Sequence, residues 1–355
     1  MKMGSGKYGS IVECLKREIL AGKFGDSETF PTADQLVERF RVSRPTINRV
    51  MFDLRSSGLV ITRPGAVPRL SRFAQHATGA LGVIYPGCRY GGVLSDICDG
   101  LVRHGELCGW DVVVSEMTEA KPESRADELV RAIRRFSDER VAGLFLQPFE
   151  YLKDEDAARH RVLSELERCN MPIVLIDYDS LCKGENRRYD LVSFDNVSSG
   201  LALGRSLLAR GCRNIAFLLK TGSPPSVVDR MRGVSAAVVE SGGSWSWRDN
   251  VLACDTADSR YICAFVRRRR PDAIVCGNDL IAVRLRALLV SAKCLDRMSL
   301  AGFDNQSEAE RLGIVSVSHP CDKLAHVALR TLLSRLRNPT DTVHTVLVPG
   351  SVVVR

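Results

Sequence analysis

The 355-residue chain is 45% hydrophobic, 26% charged and 6% aromatic, and its 50 Lys and Arg against 42 Asp and Glu leave a formal charge of +8. At roughly 100–200 residues per domain, that length implies two or three domains, and the mixture excludes wholesale disorder. No apolar run reaches the roughly 18–20 residues of a membrane span, which excludes a helical membrane protein. The opening MKMGSGKYGS has no apolar core of a secretory leader, so a cytoplasmic protein is expected. Twelve cysteines are scattered, with no CxxC pair and no histidine at ligand spacing. They are expected to be free, small core residues, with no metal and no cofactor.

The charge is concentrated at one end. Residues 1–73 hold 13 basic and 7 acidic groups, whereas the rest of the chain holds 37 and 35. A small basic module joined to a nearly neutral one fits a nucleic-acid reader, and equally a solvated basic surface. The pattern within the segment separates the two. Tyr8 to Leu20 places Ile11, Val12, Leu15, Ile19 and Leu20 at helical spacing, with Ser10 as the expected N-cap and Gly22 as the stop. A second helix is predicted from Thr32, its N-cap, to Phe40, with Leu36, Val37 and Phe40 inward. After a tight break at Arg41-Val42, Ser43 caps a third helix carrying Ile47, Val50, Met51 and Leu54, with Pro45 in its first turn and Gly58 ending it. LVITRPGAVPRL then alternates as a hairpin turning at Pro64-Gly65. Two short helices followed by a hairpin make a winged helix-turn-helix.

The segment ILAGKF…FPTADQLVERFRVSRPTINRVMFDLRSSGLV also resembles the GntR-type winged helix of bacterial regulators. That resemblance implies that Thr32, Arg44, Thr46 and the wing around Arg63 and Gly65 face DNA. Arg44 can place a bidentate fork on guanine, Thr46 can bind phosphate, and Asn48 and Arg49 lie within a turn of them. The chain departs from the family where Asp34 and Asn48 replace usual arginines and Val67 replaces a wing glycine.

After a polar linker at 71–79 the pattern becomes alternating strands and helices. Strands are predicted at 81–85, 110–116, 143–147, 172–177, 191–195, 214–219, 272–277, 299–304 and 345–348, separated by amphipathic segments such as 93–108 and 197–210. Such alternation means parallel sheets with helices on both faces, and ligands bound beyond the carboxyl ends of the strands. Several strand ends carry polar groups: Asp177, Asp195, Asn278-Asp279 and Asp304. Each is a helix cap or a ligand group; four converging sites suit a polyhydroxylated molecule such as a sugar. Arg89 lies in the loop YPGCRYGG after the first of these strands.

VSFDNVSSGLALGRSLLARGCRNIAFLL, DRMRGVSAAV, CGNDLIAVRLRALL and SLAGFDN occur in the order of blocks that resembles the LacI/GalR effector domain, a relative of periplasmic sugar-binding proteins. The resemblance implies a ligand-binding role for Arg230, Asn278, Asp279 and Asp304; Arg230 could otherwise cap a helix or pair across the cleft. The combination of modules resembles arabinose-repressor-type regulators of Gram-positive bacteria.

The expected fold is thus α/β: a winged helix-turn-helix at 1–70, a linker at 71–79, and a two-subdomain, periplasmic-binding-protein-like type I domain at 80–355. The expected function is a transcriptional repressor controlled by a sugar or sugar derivative, partnered by double-stranded operator DNA and by a second copy in a homodimer, with no membrane partner. The alternative is an enzyme on a doubly wound sheet, against which stands the absence of GxGxxG, GxxxxGK[ST], HExxH and GxSxG motifs.

Overall fold

The computed structural model describes residues 5–20, 23–24, 29–56, 59–62, 66–70, 79–86, 92–117, 125–148, 155–169, 171–181, 187–294 and 298–355. Gly22, Gly58, Arg63, the expected turn at Pro64-Gly65, residues 71–78 of the expected linker, and Arg89 lie outside them.

Among the described residues the N-terminal module has three helices, α1 (Ser5–Leu20), α2 (Ala33–Phe40) and α3 (Arg44–Ser56), and the antiparallel strands β1 (Val60–Ile61) and β2 (Arg69–Leu70). Ile11, Val12, Leu15 and Ile19 of α1 bury one apolar stripe against Leu36, Ile47, Val50 and Leu54. Ser10 is not the N-cap: α1 starts at Ser5, and Ser10 lies within it. The helix runs through a glycine-containing start that propensity disfavours. A tertiary bond sets that end, because the Tyr8 hydroxyl donates to Asp53 of α3. Thr32 caps α2 as predicted, in a reciprocal capping box with Gln35. Arg41, in left-handed conformation (φ 50°), makes the tight break. Arg39 bonds Glu18 at 2.6 Å, joining α2 to α1, and holds that carboxyl below its usual range.

Two parallel-sheet lobes follow. The first holds β3 (Ala80–Pro86), α4 (Val93–Leu107), β4 (Asp111–Met117), α5 (Arg125–Asp138), β5 (Gly143–Leu146), α6 (Glu155–Cys169), β6 (Ile173–Ile176) and β7 (Asp190–Phe194). The second holds α7 (Asn196–Ala209), β8 (Ile215–Leu219), α8 (Pro225–Glu240), α9 (Trp247–Asn250), β9 (Val251–Ala253), α10 (Ser259–Arg269), β10 (Ala273–Cys276), α11 (Asp279–Ser291), β11 (Ser299–Phe303), α12 (Ser307–Arg311) and β12 (Val315–Ser318). The chain then returns to the first lobe with α13 (Cys321–Arg337) and β13 (Thr345–Val348), and ends in the second with β14 (Ser351–Val353). Sheet order is β13-β7-β6-β5-β3-β4 in one lobe and β14-β12-β11-β10-β8-β9 in the other.

The runs GLFL, IVLI and AIVC are buried throughout, as strands covered by helices on both faces must be. The sheets are not wholly parallel, however: β14 pairs antiparallel with β12. Strands β9, β12 and β14 were not among those predicted; they are only three or four residues long. Arg335 of α13 forms a two-point ion pair with buried Asp190 at 2.8 and 2.9 Å, which fixes that returning helix on the first lobe.

The backbone therefore crosses between lobes three times, at Asp195, at His319-Pro320 and at Pro349-Gly350. The crossings lie side by side, Asp195 N donating to the Val348 carbonyl and Gly350 packing on Ser318 and Ser199, and together they make a hinge between the lobes. The carboxyl ends of the strands face each other across it.

Candidate nucleic-acid interface and interlobe cleft

At the N-terminal module, the first turns of α2 and α3 present Thr32, Asp34, Arg44, Thr46 and Asn48. Asn48 is exposed; Thr46 shares a 2.8 Å hydroxyl contact with Ser43. Arg44 is exposed but ion-paired with Asp34 of α2. Arg49 differs: its guanidinium carbon lies 4.5 Å from the Tyr8 ring centroid, so its head covers α1. Arg63 and Gly65, outside the described residues, cannot be placed on this surface.

At the cleft, Arg230 is the central group. It projects from α8 and is buried. Its Nε donates to Asn196 Oδ1 at 2.8 Å, its Nη1 to the Gly277 carbonyl at 2.7 Å, and its Nη2 meets His319 Nε2 at 3.3 Å. Asp304 Oδ1 is 3.9 Å from Nη1, and the Phe303 ring lies under the guanidinium at 4.6 Å. The fork thus ties α8 to the end of β10, the start of α7 and the His319 crossing.

His319 was not anticipated from sequence, and it is the strongest feature of the cleft. Its ring stacks on Phe194 of the first lobe at 4.2 Å and faces Phe303 of the second at 6.3 Å. Burial, reinforced by the Arg230 charge, pushes its pKa down to about 3, so the ring is neutral. Since Arg230 donates to Nε2, the proton is assigned to Nδ1, which has no partner among the described residues. The polar stretch around Ser318 hid this residue, because β12 did not register as a strand.

The predicted strand-end groups divide into two kinds. Asp177 and Asp304 occupy matching places in the two lobes, each just past a central strand, each at positive φ (74° and 102°). Each amide donates to the next strand, Asp177 to Val192 and Asp304 to Val317. Left-handed backbone at an aspartate is costly, and its repetition at both faces of one cleft is the kind of strain found at functional sites. Asp177 remains partly accessible although deep in the cleft, and burial raises its pKa despite the Arg230 charge.

The others act as local structure. Asp195 caps α7 through Ser198 N, and Asn278 caps α11 through Ile281 N. Asp279 is fully buried, accepting from Ser316 Oγ and Gln306 N at 2.8 Å, and burial pushes its pKa up to about 6. It locks the ends of β11 and β12 together. Its oxygens are taken. Across the cleft floor, Gln147 is buried, and its Oε1 has no partner among the described residues. No cluster of metal-ligating groups occurs among the described residues.

Known proteins share both halves. Residues 7–66 match the family described as bacterial regulatory proteins, gntR family, and residues 205–355 match the periplasmic binding protein-like domain. The chain joins a gntR-type headpiece to a periplasmic-binding-protein-like domain. The similarity to two regulators runs over most of both chains. The chain is 23% identical to the arabinose metabolism transcriptional repressor of Geobacillus stearothermophilus, over 98% of this chain and 96% of that one. It is 24% identical to the HTH-type transcriptional regulator GntR of Escherichia coli K12, covering 88% and 94%. Among solved structures, the transcriptional regulator CelR–cellobiose complex superposes with a TM-score of 0.66 at 17% identity, covering 98% of each chain. The transcription regulator CcpA of Lactococcus lactis matches 78% of this chain and 97% of that one, with a TM-score of 0.63 at 16% identity. Among the described residues no helix is long and apolar enough to cross a membrane.

Proposed function

We propose that this protein is a transcriptional repressor whose grip on operator DNA is set by a small sugar, or sugar derivative, held between the two lobes, and that it performs no catalysis. One observation carries the reading: a basic winged headpiece is joined to a hinged domain whose cleft centres on Arg230, gathered with Asn196 and His319 where the chain crosses between lobes. The relatives' names, all of regulators, support it further.

In this reading the headpiece comprises 1–70, the linker 71–79 and the effector domain 80–355. Arg44, Thr46 and Asn48 address DNA, with Thr32, Arg63 and Gly65 alongside, and Arg49 braces α1 while lending its charge. Arg230, Asp177 and Asp304 bind hydroxyls, Phe194 and His319 form an apolar floor for a sugar face, and Asn278 offers its remaining amide protons. Asp195 and Asp279 hold the strand ends that frame the cleft, and Arg89 is assigned to the ligand from the sequence. Two copies pair through the effector domain: β4 is a sheet edge that exposes Val113 and Val114, and Leu107 at the end of the preceding helix α4 is 79% exposed. Closure of the lobes re-spaces two headpieces relative to two half-sites, and a sugar drives it only by binding the closed form better.

A thermal-shift screen against pentoses, hexoses, deoxysugars and sugar acids tests the effector half. A sugar at a hundred times its Kd adds about 2.7 kcal/mol. A shift lost in Asp304→Ala supports the cleft; a shift retained there places the ligand elsewhere.

A further inference from the structure

The arginine at the head of α3 is already engaged before any DNA arrives. Arg44 Nη1 is ion-paired to Asp34 Oδ1 across the gap between the first turns of α2 and α3, although both side chains are largely exposed, at 59% and 71%. Neither end is on a floppy segment. The capping box of Thr32 and Gln35 fixes the start of α2, and buried Ile47, Val50 and Leu54 fix α3. A carboxylate on a surface that approaches phosphates opposes binding through its charge. Something must offset that, and the geometry supplies it. An arginine fork held along one edge has the other edge aimed, since guanidinium is rigid and planar.

We propose that Asp34 is a specificity-determining positioning residue: it grips Nη1 of Arg44, presents the Nε–Nη2 edge to the O6 and N7 of one guanine, and repels sites that lack that guanine. The proposal rests on the DNA-binding reading of the headpiece. It makes the acidic departure at position 34 a gain in discrimination at the expense of overall affinity. The competing account gives Asp34 only a favourable place near the positive end of α2.

The experiment uses the full chain. Wild-type protein selects a consensus from a duplex pool with a randomised centre, and fluorescence anisotropy then measures binding to that consensus, to each single G·C replacement, and to an unrelated duplex. Asp34→Asn tightens binding to the unrelated duplex, yet at one G·C position loses about tenfold in discrimination, equivalent to 1.4 kcal/mol. Asp34→Glu, which keeps the charge, restores part of it. In the Arg44→Ala background, Asp34→Asn leaves discrimination at that position unchanged.

Asp34→Asn changing consensus and replaced sites by one common factor would overturn the proposal. So would a discrimination loss that persists without Arg44. A wild-type protein that selects no consensus refutes the DNA-reading assignment itself, and the role of Asp34 with it. Selection that succeeds with unaltered discrimination in Asp34→Asn refutes the role of Asp34 alone.

Discussion

Helices α7 and α8 approach most closely at Gly200 and Gly233, and a single methyl there should disturb both stability and the cleft. A Cβ built on Gly200 would lie 2.1 Å from the Arg230 carbonyl oxygen and 2.9 Å from its carbon; on Gly233 it would lie 2.1 Å from the Val197 carbonyl oxygen. These obstacles are backbone, so no side chain can swing aside. Reaching ordinary contact requires the helices to part by about 1.3 Å, and α8 carries Arg230 with it. Overpacking of this kind costs about 1–3 kcal/mol, and backbone against backbone lies at the upper end. At roughly 2–4 °C per kcal/mol for a domain of this size, Gly200→Ala should lower Tm by roughly 5–10 °C. Because Arg230 moves, the variant should also lose most of its thermal response to the effector sugar. Differential scanning fluorimetry with and without sugar measures both effects. Gly9→Ala is the contrast: an added Cβ there meets nothing within 4 Å, and alanine should strengthen α1. A Gly200→Ala protein that melts within about a degree of wild type and responds fully to sugar would refute the argument that these glycines set the position of Arg230.

Arg44→Ala should weaken consensus DNA binding by about 1–3 kcal/mol and leave sugar affinity untouched, as anisotropy and calorimetry would show; equal loss of both would defeat the division into two modules. Arg230→Met should strand the Gly277 carbonyl and Asn196 Oδ1, destabilising the domain by roughly 2–5 kcal/mol, while Arg230→Lys keeps charge but not the fork and should still abolish the sugar shift. His319, with its pKa lowered to about 3, contributes stability that is complete above pH 6.5 and is lost as pH falls from there. The loss reaches about 3 kcal/mol at pH 4.5, partly offset by Asp279, whose raised pKa of about 6 adds stability as pH drops below it. Urea midpoints at pH 7 and 4.5 should differ less in His319→Phe than in wild type, and an identical difference would contradict the buried neutral imidazole. Leu107→Glu with Val113→Lys should yield monomers in sedimentation and weaken binding to a palindromic duplex; an unchanged dimer mass would move the interface elsewhere.

Much of this fold is legible in the sequence because its signals are local. Thr32 three residues before Gln35 forms a capping box, and uniformly apolar runs such as IVLI can only be central strands. The caps at Asp195 and Asn278 are legible too, since an aspartate or asparagine at a strand end commonly starts the next helix. The cleft was only half visible. Arg230 and Asp304 carry a recognisable pattern, whereas His319 acquires meaning only when Phe194, 125 positions earlier, stacks on it. In the same way nothing local in VSVS tells that Ser316 serves Asp279. Ser10 misled because helix propensity favoured a start after the glycines, and the Tyr8–Asp53 contact overrides propensity. The Asp34–Arg44 pair joins two helices, which no periodicity within either could reveal.

The central claim is that one molecule couples a sugar in the cleft to DNA at the headpiece. The most direct test is the Kd of the full chain for its selected duplex, with and without a sugar that raises its Tm. The account predicts that saturating sugar shifts that Kd by roughly 5–150-fold, a coupling of about 1–3 kcal/mol, and that duplex shifts the sugar Kd by the same factor. A sugar that binds tightly while leaving the DNA Kd unchanged would contradict it.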